Sequence, residues 1–204
     1  MSTSPINRRT QMAEARREAI LAAAKDEFVA KGFAAARVED IAKRAGVAKG
    51  TVYLSFPDKE QLFEGVISAH MAPLAERIRG RMAAGGAGPL RSMMEPLLTA
   101  MLQEVFSGAT GPVLRLLISE AIRFPRLGER YRREVVEPTL ELLRGLLQRA
   151  AAAGELRNPG VAEFPQLVMA PMIMGLIWQG VFAEASPLDM SRVLKVHLDN
   201  LFVA

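Results

Sequence analysis

The chain is 204 residues long and half hydrophobic, with a net charge of +4, no cysteine and two histidines. That length allows one or two domains with a well-buried core. The absence of cysteine excludes a disulfide framework and thiolate metal sites, and the wide separation of His70 and His197 argues against a histidine-built metal site.

The charge is unevenly placed. Residues 1–50 carry ten Lys+Arg against six Asp+Glu, whereas the rest of the chain carries sixteen of each. The whole excess lies near the N-terminus, as an electrostatic footprint for nucleic acid would. The opening MSTSPINRRTQMAEARREAI lacks the apolar core and cleavage site of a secretory signal, so the expected location is cytoplasmic. Residues 1–9 are polar, contain Pro5 and read as a disordered tail. Arg8, Arg9, Arg16 and Arg17 form a candidate phosphate-touching arm.

From about Thr10 to Lys31 the apolar set Ile20, Ala23, Ala24 and Phe28 keeps helical spacing, and Gly32 ends the helix. Val38, Ile41, Ala42 and Ala45 then share one face of a second, short helix, with Gly46 placed as its C-cap. A third helix begins near Ala48. Two helices joined by a glycine-containing turn define the helix-turn-helix plan. The third helix turns Lys49, Gly50, Thr51, Tyr53 and Ser55 outward, with little bulk near its start, as entry into a major groove requires. Phe33 and Phe56 read as core plugs of this three-helix domain. Asp58 is the expected N-cap of a fourth helix that continues through Leu62, Val66, His70 and Leu74, with a kink at Pro73.

The stretch AILAAAKDEFVAKGF, VEDIAKRAGV, AKGTVYLSFPDKEQLF, over roughly residues 14–63, resembles the DNA-binding domain of the TetR/AcrR family of bacterial transcriptional regulators. It departs from the family at two caps. Arg37 stands where a threonine or serine usually opens the second helix, and Ala48 where a serine usually opens the third. Each change removes a side-chain cap worth about 1 kcal/mol. By resemblance, Lys59 is the phosphate-binding lysine at the head of the fourth helix. The DNA-facing set is therefore Arg37, Lys49, Gly50, Thr51, Tyr53, Ser55 and Lys59. Lys49 and Thr51 are the base-edge candidates, while Tyr53 and Lys59 set register through phosphate.

AAGGAGP at 83–89 is the clearest break. Beyond it the spacing predicts helices over 90–106, 113–123, 127–153 with a kink at Pro138, 161–184 and 188–202, with a turn at Asn158-Pro159-Gly160. Phe164 to Ala183 carries no charge over twenty residues, long enough to span a bilayer. Its prolines, its glutamines and its flanking Glu163 and Glu184 favour a helix buried in the protein, and no membrane partner is expected.

The expected fold is all-α: a tail over 1–9, a helix-turn-helix domain over 10–57, and a larger helical effector-binding and dimerisation domain over 58–204. The resemblance implies a homodimeric repressor that binds a palindromic site on double-stranded DNA and is released by a small-molecule effector. Met71, Met101, Glu120, Met174 and Trp178 are the effector-site candidates. Trp178, Phe182 and Val196 are the dimer-interface candidates, since the family's last two helices form that contact. A repressor without an effector is one alternative. A helical enzyme is another, although no nucleophile elbow, phosphate-binding loop, metal-ligand motif or cofactor motif occurs.

Overall fold

A computed structural model describes residues 5–85 and 88–203, with side chains described from residue 10 onward. The described chain is helical, and its one β-type pairing is an isolated bridge between Leu156 and Phe202. The helices are α1 (Pro5–Ala35), α2 (Val38–Arg44), α3 (Lys49–Ser55), α4 (Lys59–Ala83), α5 (Leu90–Ser107), α6 (Thr110–Ala121), α7 (Pro125–Tyr131), α8 (Glu137–Ala152), α9 (Gln166–Phe182) and α10 (Met190–Leu201). They divide into two compact units, Met1–His70 and Met71–Ala204.

The first unit grows from an aromatic cluster. Phe28 lies 5.0 Å from Phe63 edge-on and 5.8 Å from Phe33, and all three rings are buried. Phe63, with Leu62, Val66 and Ile67, brings the first turns of α4 into this core. The division therefore falls inside α4, later than the 57/58 boundary expected from the sequence. Of the expected tail, residues 1–4 lie outside the described residues, whereas 5–9 are helical and open α1. Pro5 at the first helical position loses nothing by lacking an N–H there.

Gly32 breaks α1 with a φ of 73°, a conformation open to glycine at little cost. Gly46 closes α2 with a φ of 68°. Its N–H donates to the Lys43 carbonyl at 3.3 Å while the Val47 N–H reaches back to the Ala42 carbonyl at 3.0 Å. These paired bonds form a Schellman motif. Arg37 and Ala48 open α2 and α3 without side-chain caps. Asp58 does cap α4, its carboxylate accepting from the Gln61 N–H at 2.7 Å.

The second unit has one continuous apolar core, with Leu98, Leu143, Leu147, Leu176 and Leu198 fully buried. It departs from the expected elements in three places. A five-residue π-helical segment, Arg132–Val136, separates α7 from α8 where one kinked helix was expected. Pro138 follows directly; lacking an N–H, it cannot continue the regular ladder. A 3₁₀ segment occupies Pro159–Glu163, with the Asn158 side chain accepting from the Gly160 N–H at 2.9 Å. Finally, α9 is not buried all round. It buries Val168, Pro171, Met172 and Leu176 but exposes Ile173, Met174, Ile177, Val181 and Phe182. Among the described residues, no helix is long and apolar enough to cross a membrane.

Candidate nucleic-acid interface and apolar cavity

In the first unit, α3 buries Val52 against the domain and leaves Lys49, Gly50, Tyr53 and Leu54 exposed; Thr51 and Ser55 are half-buried. Leu54 is 89% exposed, the highest value among the described large apolar side chains, and was missed by the sequence reading. It lies one turn beyond Gly50 and Thr51, so helical spacing already put it on their face. A Cβ added at Gly50 would meet no atom within 4 Å. The domain's own packing therefore does not require glycine there.

The cations around α3 differ in how firmly they are held. The ammonium group of Lys49 donates to Glu39 of α2 and lies 5.8 Å from the centre of the Tyr53 ring. That bond to Glu39 raises the Lys49 pKa, and the same bond lowers that of Glu39. Glu39 is a second residue that the sequence reading passed over. Lys59 donates to the carbonyls of Ala34 and Ala36 at 3.1 and 3.0 Å and sits 4.7 Å above the Phe33 ring. Arg17 donates to the Ser55 carbonyl at 3.2 Å and stacks 4.2 Å over Phe56, fastening the end of α3. Arg37 and Arg16 are exposed, and the side chains of Arg8 and Arg9 lie outside those described.

Behind this surface, Glu27 is 1% exposed, with Lys31 at 2.6 Å and Arg44 at 3.8 Å. Lys31 also reaches Asp40 at 3.1 Å. These ion pairs join α1 to α2 and set the platform on which α3 rests.

The second unit contains a cavity of about 400 Å³, walled by α4 from Met71 onward, α5, α6, the α7–α8 segment and α9. Met71 and Met101 line it, along with Met94, Met169 and Met172, which help give it an adaptable apolar wall. Glu120, Met174 and Trp178 do not line it. On α6 the lining positions are Leu114, Leu117, Ile118 and Ala121, and Glu120 is not among them, buried at 8%. Met174 lies two residues past the lining Met172, nearly opposite on the helix, and is 41% exposed. Trp178 donates its indole N–H to the Ser186 carbonyl at 2.7 Å and packs 5.0 Å from Phe182. The sequence reading missed the contribution of Tyr131, at the end of α7, and of Val135 and Val136 in the π-helical segment, all of which line the cavity. Among the described residues, no three potential metal ligands converge.

A short helix with an uncovered face, set by a glycine turn on a three-helix platform, defines a helix-turn-helix DNA-binding protein. Residues 20–66 match the family model for bacterial regulatory proteins of the tetR family, and residues 86–193 match that for the tetracyclin repressor-like C-terminal domain. The chain belongs to the TetR family of DNA-binding transcriptional regulators. It is 28% identical to the HTH-type transcriptional repressor BepR of Brucella suis over 194 residues, covering 91% of each chain. It is 25% identical to the HTH-type transcriptional regulator SrpR of Pseudomonas putida, covering 93% of this chain and 85% of that one. The crystal structure of NalD, the secondary repressor of the MexAB-OprM multidrug efflux pump in Pseudomonas aeruginosa, is similar with a TM-score of 0.73 and 26% identity. That match covers 93% of this chain and 98% of NalD.

Proposed function

We propose that this regulator is a homodimeric repressor that binds a palindromic operator and releases it when a small molecule occupies the apolar cavity. The observation that carries the proposal is the face of α3. Lys49, Gly50, Tyr53 and Leu54 project from a helix whose other side is anchored by Val52, so the domain presents an exposed face that its core does not bury. Lys49, Thr51 and Leu54 face base edges; Arg37, Tyr53, Ser55 and Lys59 set register on phosphate. Lys59 does so with the donor left after its two carbonyl contacts.

Dimerisation is supported by α9, where Ile173, Ile177 and Val181 recur at helical spacing and stay exposed, beside Phe182 at 47% and Val196 of α10 at 52%. A dimer that reads a palindrome would present two copies of α3 to successive major grooves, roughly 34–36 Å apart. Effector control is supported by α4, which carries Lys59 at its head and lines the cavity with Met71, Leu74 and Ile78 further along. A ligand that prefers the conformer with displaced recognition helices shifts the population away from the DNA-bound form.

Selection of bound duplexes from a random library at two salt concentrations tests this reading. A palindrome with half-sites one helical turn apart is expected. An asymmetric or single half-site, bound by a monomer in sedimentation, would remove the dimeric part. The selected duplex then serves to screen for release.

A further inference from the structure

The wall chemistry of the cavity limits what can occupy it. Among the described residues no charged side chain lines it, and its polar groups are Tyr131, Thr139 and Gln166. Thr139 donates its hydroxyl proton to the Val135 carbonyl at 2.7 Å. Gln166 is exposed and marks the side where the cavity meets solvent. Tyr131 is therefore the remaining side chain that can donate a hydrogen bond away from that rim. Burial raises its phenol pKa, so it keeps its proton at neutral pH. An ionised ligand entering such a site would lose its hydration without gaining a counter-charge, which is strongly unfavourable.

We propose that the cavity selects an uncharged, predominantly apolar molecule carrying one hydrogen-bond acceptor that meets the Tyr131 hydroxyl, and rejects carboxylates and ammonium ions of the same hydrocarbon shape. This rests on the effector reading above and gives that site its ligand class. Tyr131 at the end of α7 and Val136 at the end of the π-helical segment both line the cavity, while Arg132 between them pairs with Glu129 and Glu137.

The test uses the full-length protein and three probes that share a ten-carbon chain: 1-decanol, decanoate and decylammonium. Each is titrated at pH 7.5 against bound N-phenyl-1-naphthylamine, with release of the selected duplex followed in parallel. Displacement by 1-decanol is expected at concentrations at least tenfold lower than by either ion. Tyr131→Phe should weaken 1-decanol roughly threefold to tenfold, the loss expected for one neutral hydrogen bond, and leave naphthalene binding within twofold. Val136→Lys places a cation on the wall and should improve decanoate at least tenfold. Equal or better binding of either ion to the unaltered protein overturns the proposal. So do affinities that neither variant changes, because the probe would then sit elsewhere. Binding in the expected order without duplex release supports the ligand class and removes the effector-release reading. Release by an ion alone does the reverse.

Discussion

The two units of this chain solve the same packing problem in opposite ways. The first closes a small core around three phenylalanines in mutual ring contact and spends its remaining residues on an exposed polar face. The second builds its core from leucine and methionine and leaves about 400 Å³ unfilled at its centre. A reader of DNA must hold α3 rigidly, since a small misplacement of the helix misaligns every base-edge contact. A binder of small molecules needs a space that can adapt. Aromatic rings with fixed geometry suit the first task, and flexible thioethers suit the second.

The same kind of truncation in each unit should expose the contrast. Phe28→Ala removes a fully buried ring that touches two others and should cost about 3–5 kcal/mol, read by thermal or denaturant unfolding. Met101→Ala removes a side chain that already borders empty space, so fewer atomic contacts vanish. Its cost should fall near the low end for such changes, about 2 kcal/mol. Equal losses at the two sites would mean that the cavity closes in solution and that the contrast is false.

Two glycines, one in each unit, differ in the space around them. At the start of α6, a Cβ on Gly111 would come 1.9 Å from the Val105 carbonyl oxygen, so Gly111→Ala forces backbone to move. Overpacking of this kind costs about 1–3 kcal/mol or more. Gly50→Ala meets open space in an ordinary helical conformation and should stabilise the first unit by up to about 1 kcal/mol. Its operator affinity should nevertheless fall, because the added methyl stands between α3 and the groove. A stabilised variant with undiminished binding would show that α3 approaches DNA from another side.

These contrasts also explain what was legible in the sequence. The first unit announces itself through local rules, each satisfied within a few residues: Gly46 closes a helix, Asp58 opens one, and Phe33 and Phe56 bury as plugs. Leu54 shares the face of Gly50 and Thr51 by helical spacing, but an apolar side chain reads as core rather than as part of an exposed surface. In the second unit the apolar spacing of a cavity wall is identical to that of a filled core, so methionines alone could not separate Met101, which lines the space, from Met174, which faces outward. The start of α6 was placed at Val113 because Gly111-Pro112 reads as punctuation, yet proline is tolerated in a helix's first turn. The π-helical segment was invisible because its residues are ordinary helix formers.

A finer test concerns the charge held in reserve on the DNA face. Glu39 pairs with Lys49 in the free protein, so its carboxylate offsets the positive charge that the ammonium group would bring to DNA. Glu39→Gln should strengthen binding to all duplexes by a few-fold and steepen the dependence of log K on log salt by about one. An unchanged slope would mean that Lys49 does not reach phosphate or base in the complex. Tyr53→Phe combined with Lys59→Ala should act in the opposite sense, flattening the slope across all sequences alike.

The smallest expected effect is a difference in acid sensitivity. His197, on α10 in the second unit, is held below the ordinary 6.5 by desolvation, against the opposing pull of the Leu167 and Val168 backbone. The unfolded chain takes up that proton more readily than the folded one. The contribution of the neutral imidazole to stability is therefore complete above 6.5 and is lost as pH falls from there through the lower folded value. In the first unit, Glu39 is held below its ordinary 4.5 by Lys49, so the stability it adds is lost only as pH falls below that value. Asp199 and Glu129 of the second unit also respond only in that lower range. Trp178, the single tryptophan, lies in the second unit and reports its unfolding by fluorescence, while circular dichroism follows both units. Between pH 7 and 5 the fluorescence midpoint in urea should decline, and His197→Gln should flatten that decline. If the midpoint stays constant over this range in the unaltered protein, His197 is not desolvated in solution.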